Sequence, residues 1–168
     1  MHINILTIFP EIFDALNYGV IGKAKTNKSF SIKIQDIRDY PVNKHGQIDS
    51  KPYGGGEGMV MMAEPLKRSL ESIPKEKLGK IIYLSPQGAL FDNTKAKKLS
   101  KEPSATFICG RYEGIDQRFI DKYVDEEKKK GNVIISGGEI AALCINDTII
   151  SHIPGVLWNK KKKKNDSF

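Results

Sequence analysis

Short apolar runs alternate along the chain with segments whose apolar residues recur at helical spacing. INILTIF (Ile3 to Phe9) predicts a first strand. Pro10 then sits where a helix can begin, and Ile12, Phe13 and Leu16 continue at helical spacing. FSIKIQDI (Phe30 to Ile37) alternates apolar and polar positions, which predicts a strand with one wetter face. Asn43 to Gly58 is polar and glycine-rich and reads as a loop, with a helix expected from Glu64. Three strand-and-turn segments follow, KIIYLSPQG (Lys80 to Gly88), ATFICGRYEGID (Ala105 to Asp116) and NVIISGGE (Asn132 to Glu139). They are interleaved with helices over FDNTKAKKLS (Phe91 to Ser100), QRFIDKYV (Gln117 to Val124) and IAALCINDTIISHI (Ile140 to Ile153). Strands that alternate with helices predict an α/β domain with a largely parallel sheet flanked by helices.

All three of those strands run into unusual turns. YLSPQG, CGRYEGID and ISGGE each place glycine or polar residues directly after an apolar run. A turn needs the glycines of Gly-Arg-Tyr-Glu-Gly-Ile-Asp, but not its arginine and two carboxylates. In open α/β sheets the ligand crevice lies beyond the carboxyl ends of the strands, where glycine lets the backbone approach a ligand closely. One such turn is ordinary structure; three predict a shared pocket. PYGGGEGM (Pro52 to Met59) lacks the Gly-Lys-Ser/Thr ending of a phosphate-binding loop and the spacing of a dinucleotide fingerprint. It reads either as a mobile loop or as a lid over a neighbouring site. His2, His45 and His152 are scattered, and no metal-ligand cluster is expected.

Composition narrows the class. A chain of 168 residues with 39% hydrophobic and 28% charged positions can bury a core of its own, and no apolar run reaches membrane-spanning length. The N-terminus lacks the basic leader and cleavage site of a signal peptide. Cys109 and Cys144, far apart, read as reduced core thiols of a cytoplasmic protein. Lys160 to Lys164 carry five charges, most of the formal net charge of +7. This run reads either as a solvated tail or as a segment that contacts phosphates.

PYGGGEGM, IIYLSPQG, CGRYEGID, ISGGE and IPGVL stand in the order seen in bacterial tRNA (guanine-N1)-methyltransferases of the TrmD type, within the SPOUT superfamily. The chain resembles that family from FPEIF to NDSF. The resemblance implies a parallel sheet whose C-terminal part is tied in a trefoil knot, and a homodimer with its active site at the subunit interface. It implies one knotted domain over residues 1–158. Residues 159–168 would be a lysine-rich linker remnant, with the family's C-terminal tRNA-binding domain absent. S-adenosylmethionine would be held by Tyr83, Leu84, Ser85, Pro86, Gln87, Gly110, Gly131, Val133, Ile134, Ile135, Ser136, Gly137, Gly138 and Leu143. Several of these would act through their backbone. The substrate would be tRNA, methylated at N1 of the guanine 3′ of the anticodon.

That nitrogen carries a proton at neutral pH, so the reaction needs a base, and a donor for the charge that grows on O6. By resemblance the base is Asp166, Glu113 lies near the methyl donor, Arg111 orders substrate or interface, and Asp49 stands near the substrate base. The family's catalytic arginine falls on Ser151, beside His152. DEEKKKGN (Asp125 to Asn132) brings Lys128 and Lys130 to a stretch that is usually apolar in the family. A second class of function is a module that binds S-adenosylmethionine or RNA without turnover.

Overall fold

A computed structural model describes residues 1–157. In chain order its elements are β1 (His2–Thr7), a 3-10 stretch (Pro10–Asn17), α1 (Gly19–Thr26), β2 (Ser31–Asp36), a second 3-10 turn (Ile37–Asp39), β3 (Asp49–Ser50), β4 (Val60–Met61), α2 (Ala63–Glu71), α3 (Lys75–Leu78), β5 (Lys80–Leu90), α4 (Asn93–Leu99), β6 (Ser104–Cys109), α5 (Gln117–Tyr123), β7 (Glu126–Lys129) and α6 (Gly138–Ser151). The main sheet is parallel throughout, in the order β2-β1-β6-β5-β7. This is the α/β architecture that the alternating pattern predicts.

Every residue of the central strand β6 is buried, as expected where helices cover both faces of a parallel sheet. One face packs Ile3, Ile5, Phe107 and Leu84 against Ala142, Ile145 and Ile149 of α6. The other packs Leu6, Ile108 and Tyr83 against Leu66 and Leu70 of α2 and Phe119 of α5. Cys109 belongs to the first core. Cys144, expected inside as well, is exposed on the outer side of α6.

Four other expectations change. The N-terminal helix is a 3-10 stretch followed by α1; Phe13 and Leu16, its buried pair, are three apart, the spacing that a 3-10 helix eclipses. The loop before Glu64 holds a small antiparallel sheet of β3 and β4. β5 does not end at its Ser-Pro-Gln-Gly turn. It pairs with β7 through Leu84 opposite Lys128, extrudes Ser85 to Gly88, and resumes with Ala89 opposite the same Lys128.

The largest correction concerns NVIIS. Residues 132–135 form no strand, and Ile134 is fully exposed. The edge strand is instead the charged segment EEKK of β7. An edge strand needs one neighbour only and is commonly charged. Here Lys80 and Lys128 both reach the Glu126 carboxylate, each at 2.6 Å. With β6 on one side of β5 and β7 on the other, Val133, Ile134 and Ile135 cannot pair with β5 and lie beyond the strand ends.

Candidate active site

The three turns do meet. They enclose a cavity of about 430 Å³ at the carboxyl ends of β6 and β7, beside the extruded part of β5. Its walls include Tyr83, Leu84, Ser85, Pro86 and Gln87 from the extruded part of β5, Gly110 after β6, and Gly131, Val133, Ile134, Ile135, Ser136, Gly137 and Gly138 before and at the start of α6. Leu143 is not among them. It is half-buried against the core on α6 and lines a separate shallow groove with Cys144, Asp147 and Ser151. Arg111 and Glu113 line the cavity. Asp49 sits on β3, outside the cavity wall, with its carboxylate beside the Tyr112 phenol. Asp166 and Lys160 to Lys164 lie outside the described residues.

Close backbone approach explains the glycines. A Cβ at Gly138 would lie 2.8 Å from Cys109 Cα, because the first turn of α6 rests on the end of β6. The Gly138 N–H donates to the Gly110 carbonyl at 2.9 Å across the same contact. A side chain at Gly138 would therefore strike main chain, not only the space left for a ligand.

Arg111 is held from three sides. Its Nε donates to Glu139 Oε2 at 2.8 Å, and its Nη1 to the Ser136 carbonyl at 3.1 Å. Its guanidinium lies 4.7 Å from the Phe9 ring centroid. Glu139 is fully buried, and its other oxygen accepts from Thr7 Oγ1 at 2.9 Å. Thr7 Oγ1 also accepts from the Phe9 N–H at 2.9 Å. The end of β1, the turn after β6 and the start of α6 are thereby joined through one buried ion pair. Glu139 also stands in the first turn of α6, where a negative charge is favoured.

The turn that carries Arg111 is braced on its other side by the small sheet. The Glu113 N–H donates to the Met59 carbonyl at 2.9 Å, and the Met61 N–H to the Gly114 carbonyl at 3.0 Å. Just before them Tyr112 takes φ 58, the left-handed region that costs a non-glycine residue energy and that clusters at functional sites. Burial, then the Asp49 charge and the hydrogen bond to Asp49, push the Tyr112 phenol above its ordinary range. Burial, with the Glu127 carboxylate, pushes the Tyr83 phenol up to about 12, so it stays a neutral donor on the cavity wall.

Sequence reasoning assigned no role to Glu139, Thr7 or Tyr112. Glu139 carried one usable signal, a carboxylate directly after two glycines at a helix start. Thr7 and Tyr112 carried none, because a strand-end threonine and a turn tyrosine are ordinary residues until their partners are known.

The chain matches the family described as tRNA (Guanine-1)-methyltransferase TrmD over residues 1–168. Similar proteins named tRNA (guanine-N(1)-)-methyltransferase occur in several clostridia. That of Clostridium perfringens (strain SM101 / Type A) is 44% identical over 168 residues, covering 100% of this chain and 71% of the relative. That of Clostridium botulinum (strain Loch Maree / Type A3) is 43% identical, with 100% and 70% covered. For Clostridium novyi (strain NT) the figures are 45%, 100% and 69%. With the ordered turns, the cavity they enclose and this match along its whole length, the chain belongs to the TrmD family of tRNA (guanine-1)-methyltransferases.

Proposed function

We propose that this chain transfers a methyl group from S-adenosylmethionine to N1 of the guanine 3′ of the anticodon in tRNA. The observation that carries this is the single cavity built from the extruded part of β5, the turn after β6 and the segment before α6, with Arg111 and Glu113 on its wall. The residues present suit the methyl donor. Val133, Ile134 and Ile135 offer apolar side chains, and the extruded Ser85 to Gly88 segment offers backbone polar groups that are not paired to β7. S-adenosylmethionine supplies an electrophilic methyl on a positively charged sulfur. Glu113 contributes a carboxylate that favours positive charge in the cavity. Asp166 is the proposed acceptor of the N1 proton, and Asp49, oriented by Tyr112, holds the entering base. The trefoil knot and the division of the chain at residue 158 belong to the same proposal.

The homodimer is supported by a separate apolar face. Tyr18, Val20 and Leu157 are exposed around the groove that holds Leu143 and Ser151. A second copy would cover them, and sedimentation equilibrium at micromolar concentration should give a dimer. No helix among the described residues is long and apolar enough to cross a membrane.

A second reading, binding without turnover, is favoured by one observation. Ser151, at the position of the family's catalytic arginine, brings no charge. A methyl-transfer assay with this chain, on a tRNA that carries guanine after the anticodon, separates the two. Transfer that saturates with S-adenosylmethionine and is lost when that guanine is replaced supports the enzyme. Saturable cofactor binding with no transfer supports the second reading.

A further inference from the structure

The cavity has an electrostatic feature that methyl transfer alone does not require. Its proposed ligand changes charge in the reaction. S-adenosylmethionine carries a sulfonium, and its demethylated product carries a neutral thioether in nearly the same shape. A site lined by cations would favour the product, because like charges repel strongly where water is partly excluded. Four cations, Arg111, Lys128, Lys129 and Lys130, line this cavity together with the carboxylates Glu113 and Glu127. Arg111 and Lys128 are each also paired with a carboxylate from outside the wall. Glu126 reaches Lys128 at 2.6 Å with its own side chain 31% exposed, so that pair is screened by solvent. Glu139 is 0% exposed and reaches Arg111 at 2.8 Å. Its charge is therefore the less screened, and it reaches the cavity wall through Arg111.

We propose that Glu139 makes the cavity discriminate in favour of the cationic methyl donor over its neutral product, by neutralising Arg111. Glu139 need not touch the cofactor. It acts as a positioning and charge-compensating residue through Arg111, whose Nη1 also fixes the Ser136 carbonyl in the cavity wall. Thr7 keeps the carboxylate turned toward Arg111 by occupying its other oxygen. The inference rests on the reading that this cavity takes S-adenosylmethionine.

The test is calorimetric binding of S-adenosylmethionine and S-adenosylhomocysteine to the full chain and to three variants. Shared losses from altered packing cancel in the ratio of the two dissociation constants; a change of wall charge does not. In Glu139→Gln the amide keeps the shape and removes the charge, so the donor should weaken relative to the product by roughly fivefold or more. In Arg111→Gln the Glu139 carboxylate loses its counter-charge, and the ratio should move the opposite way. The double variant should return the ratio to within about twofold of the parent, as a coupled pair requires. An equal change for both ligands in Glu139→Gln, or a shift of the same sign in Arg111→Gln, overturns the proposal and leaves the pair a packing feature. If neither single variant folds, the pair serves folding and the proposal is likewise overturned. If the parent chain binds neither ligand, the cofactor reading itself fails, an outcome distinct from all of these.

Discussion

Two stretches of the cavity wall are built on opposite principles. Residues 110–116 carry charges and glycines, and nearly every group there has an internal partner. Gly114 bonds back to Arg111, Glu113 and Asp116 bond to β4 and its flank, and the Asp116 carboxylate caps α5 through the Arg118 N–H. Residues 131–135 are apolar over three positions, yet Val133 is 67% exposed and Ile134 fully so. No backbone–backbone hydrogen bond to residues 131–135 is found among the described residues. The first stretch is stable by its own bonding. The second leaves apolar surface in water, and a bound molecule would cover it. Polar residues in a wall can thus be structural, and exposed apolar ones can be the part that meets the ligand.

A pair of glycine variants should break this comparison most sharply. Gly138→Val forces a side chain against the Cys109 backbone and should cost about 2–3 kcal/mol of stability. Gly131→Val meets nothing within 4 Å and should change stability by less than about 0.5 kcal/mol. Urea unfolding of the two proteins measures both. Equal losses would mean that the 131–135 stretch is packed as tightly as the contact between α6 and the turn after β6.

Ile134→Ser should produce the next largest effect, and on binding only. Removal of an exposed side chain leaves unfolding nearly unchanged, while on the proposed cofactor reading the loss of apolar contact should weaken S-adenosylmethionine binding by about tenfold. Calorimetry paired with thermal melting would expose an error in either half of this expectation.

The smallest effect is a pH dependence at β7, the edge strand that leads into the apolar stretch. Hydrogen bonds from Lys128 and Lys80 hold the Glu126 carboxyl at about 2, well below its ordinary 4.5. A depressed carboxylate contributes stability above the unfolded value, and that contribution is lost as pH falls from near 4.5 through about 2. Because Glu126 is partly exposed, screening reduces its contribution to about 1 kcal/mol. Glu126→Gln should therefore melt below the parent at pH 7, and the gap should close as the pH is lowered toward 2. A gap that stays constant would remove the ionic contribution.

Much of the fold was legible in the residues. β1, β2, β6, α5 and α6 follow from apolar spacing because each has a face, or two, that must be buried. The strand at NVIIS was misread for the same reason: periodicity reports apolarity, and apolarity does not say whether sheet or ligand will cover it. β7 was missed because EEKK has no apolar pattern; backbone pairing to β5 and the Glu126 ion pairs hold it.

The sequence by itself determined the α/β class, the convergence of three turn segments on a shared site, and membership of the family through five ordered motifs. These depend on local order along the chain, which spacing and turn chemistry report directly. Only the tertiary structure decided that Leu143 and Ser151 stand outside the cavity and that Asp49 meets Tyr112. It alone showed that Glu139 is buried against Arg111 and Thr7. Thr7, Arg111 and Glu139 are distant in sequence, and they meet because parallel strands end side by side. A buried carboxylate reveals its role only through the partners that neutralise it.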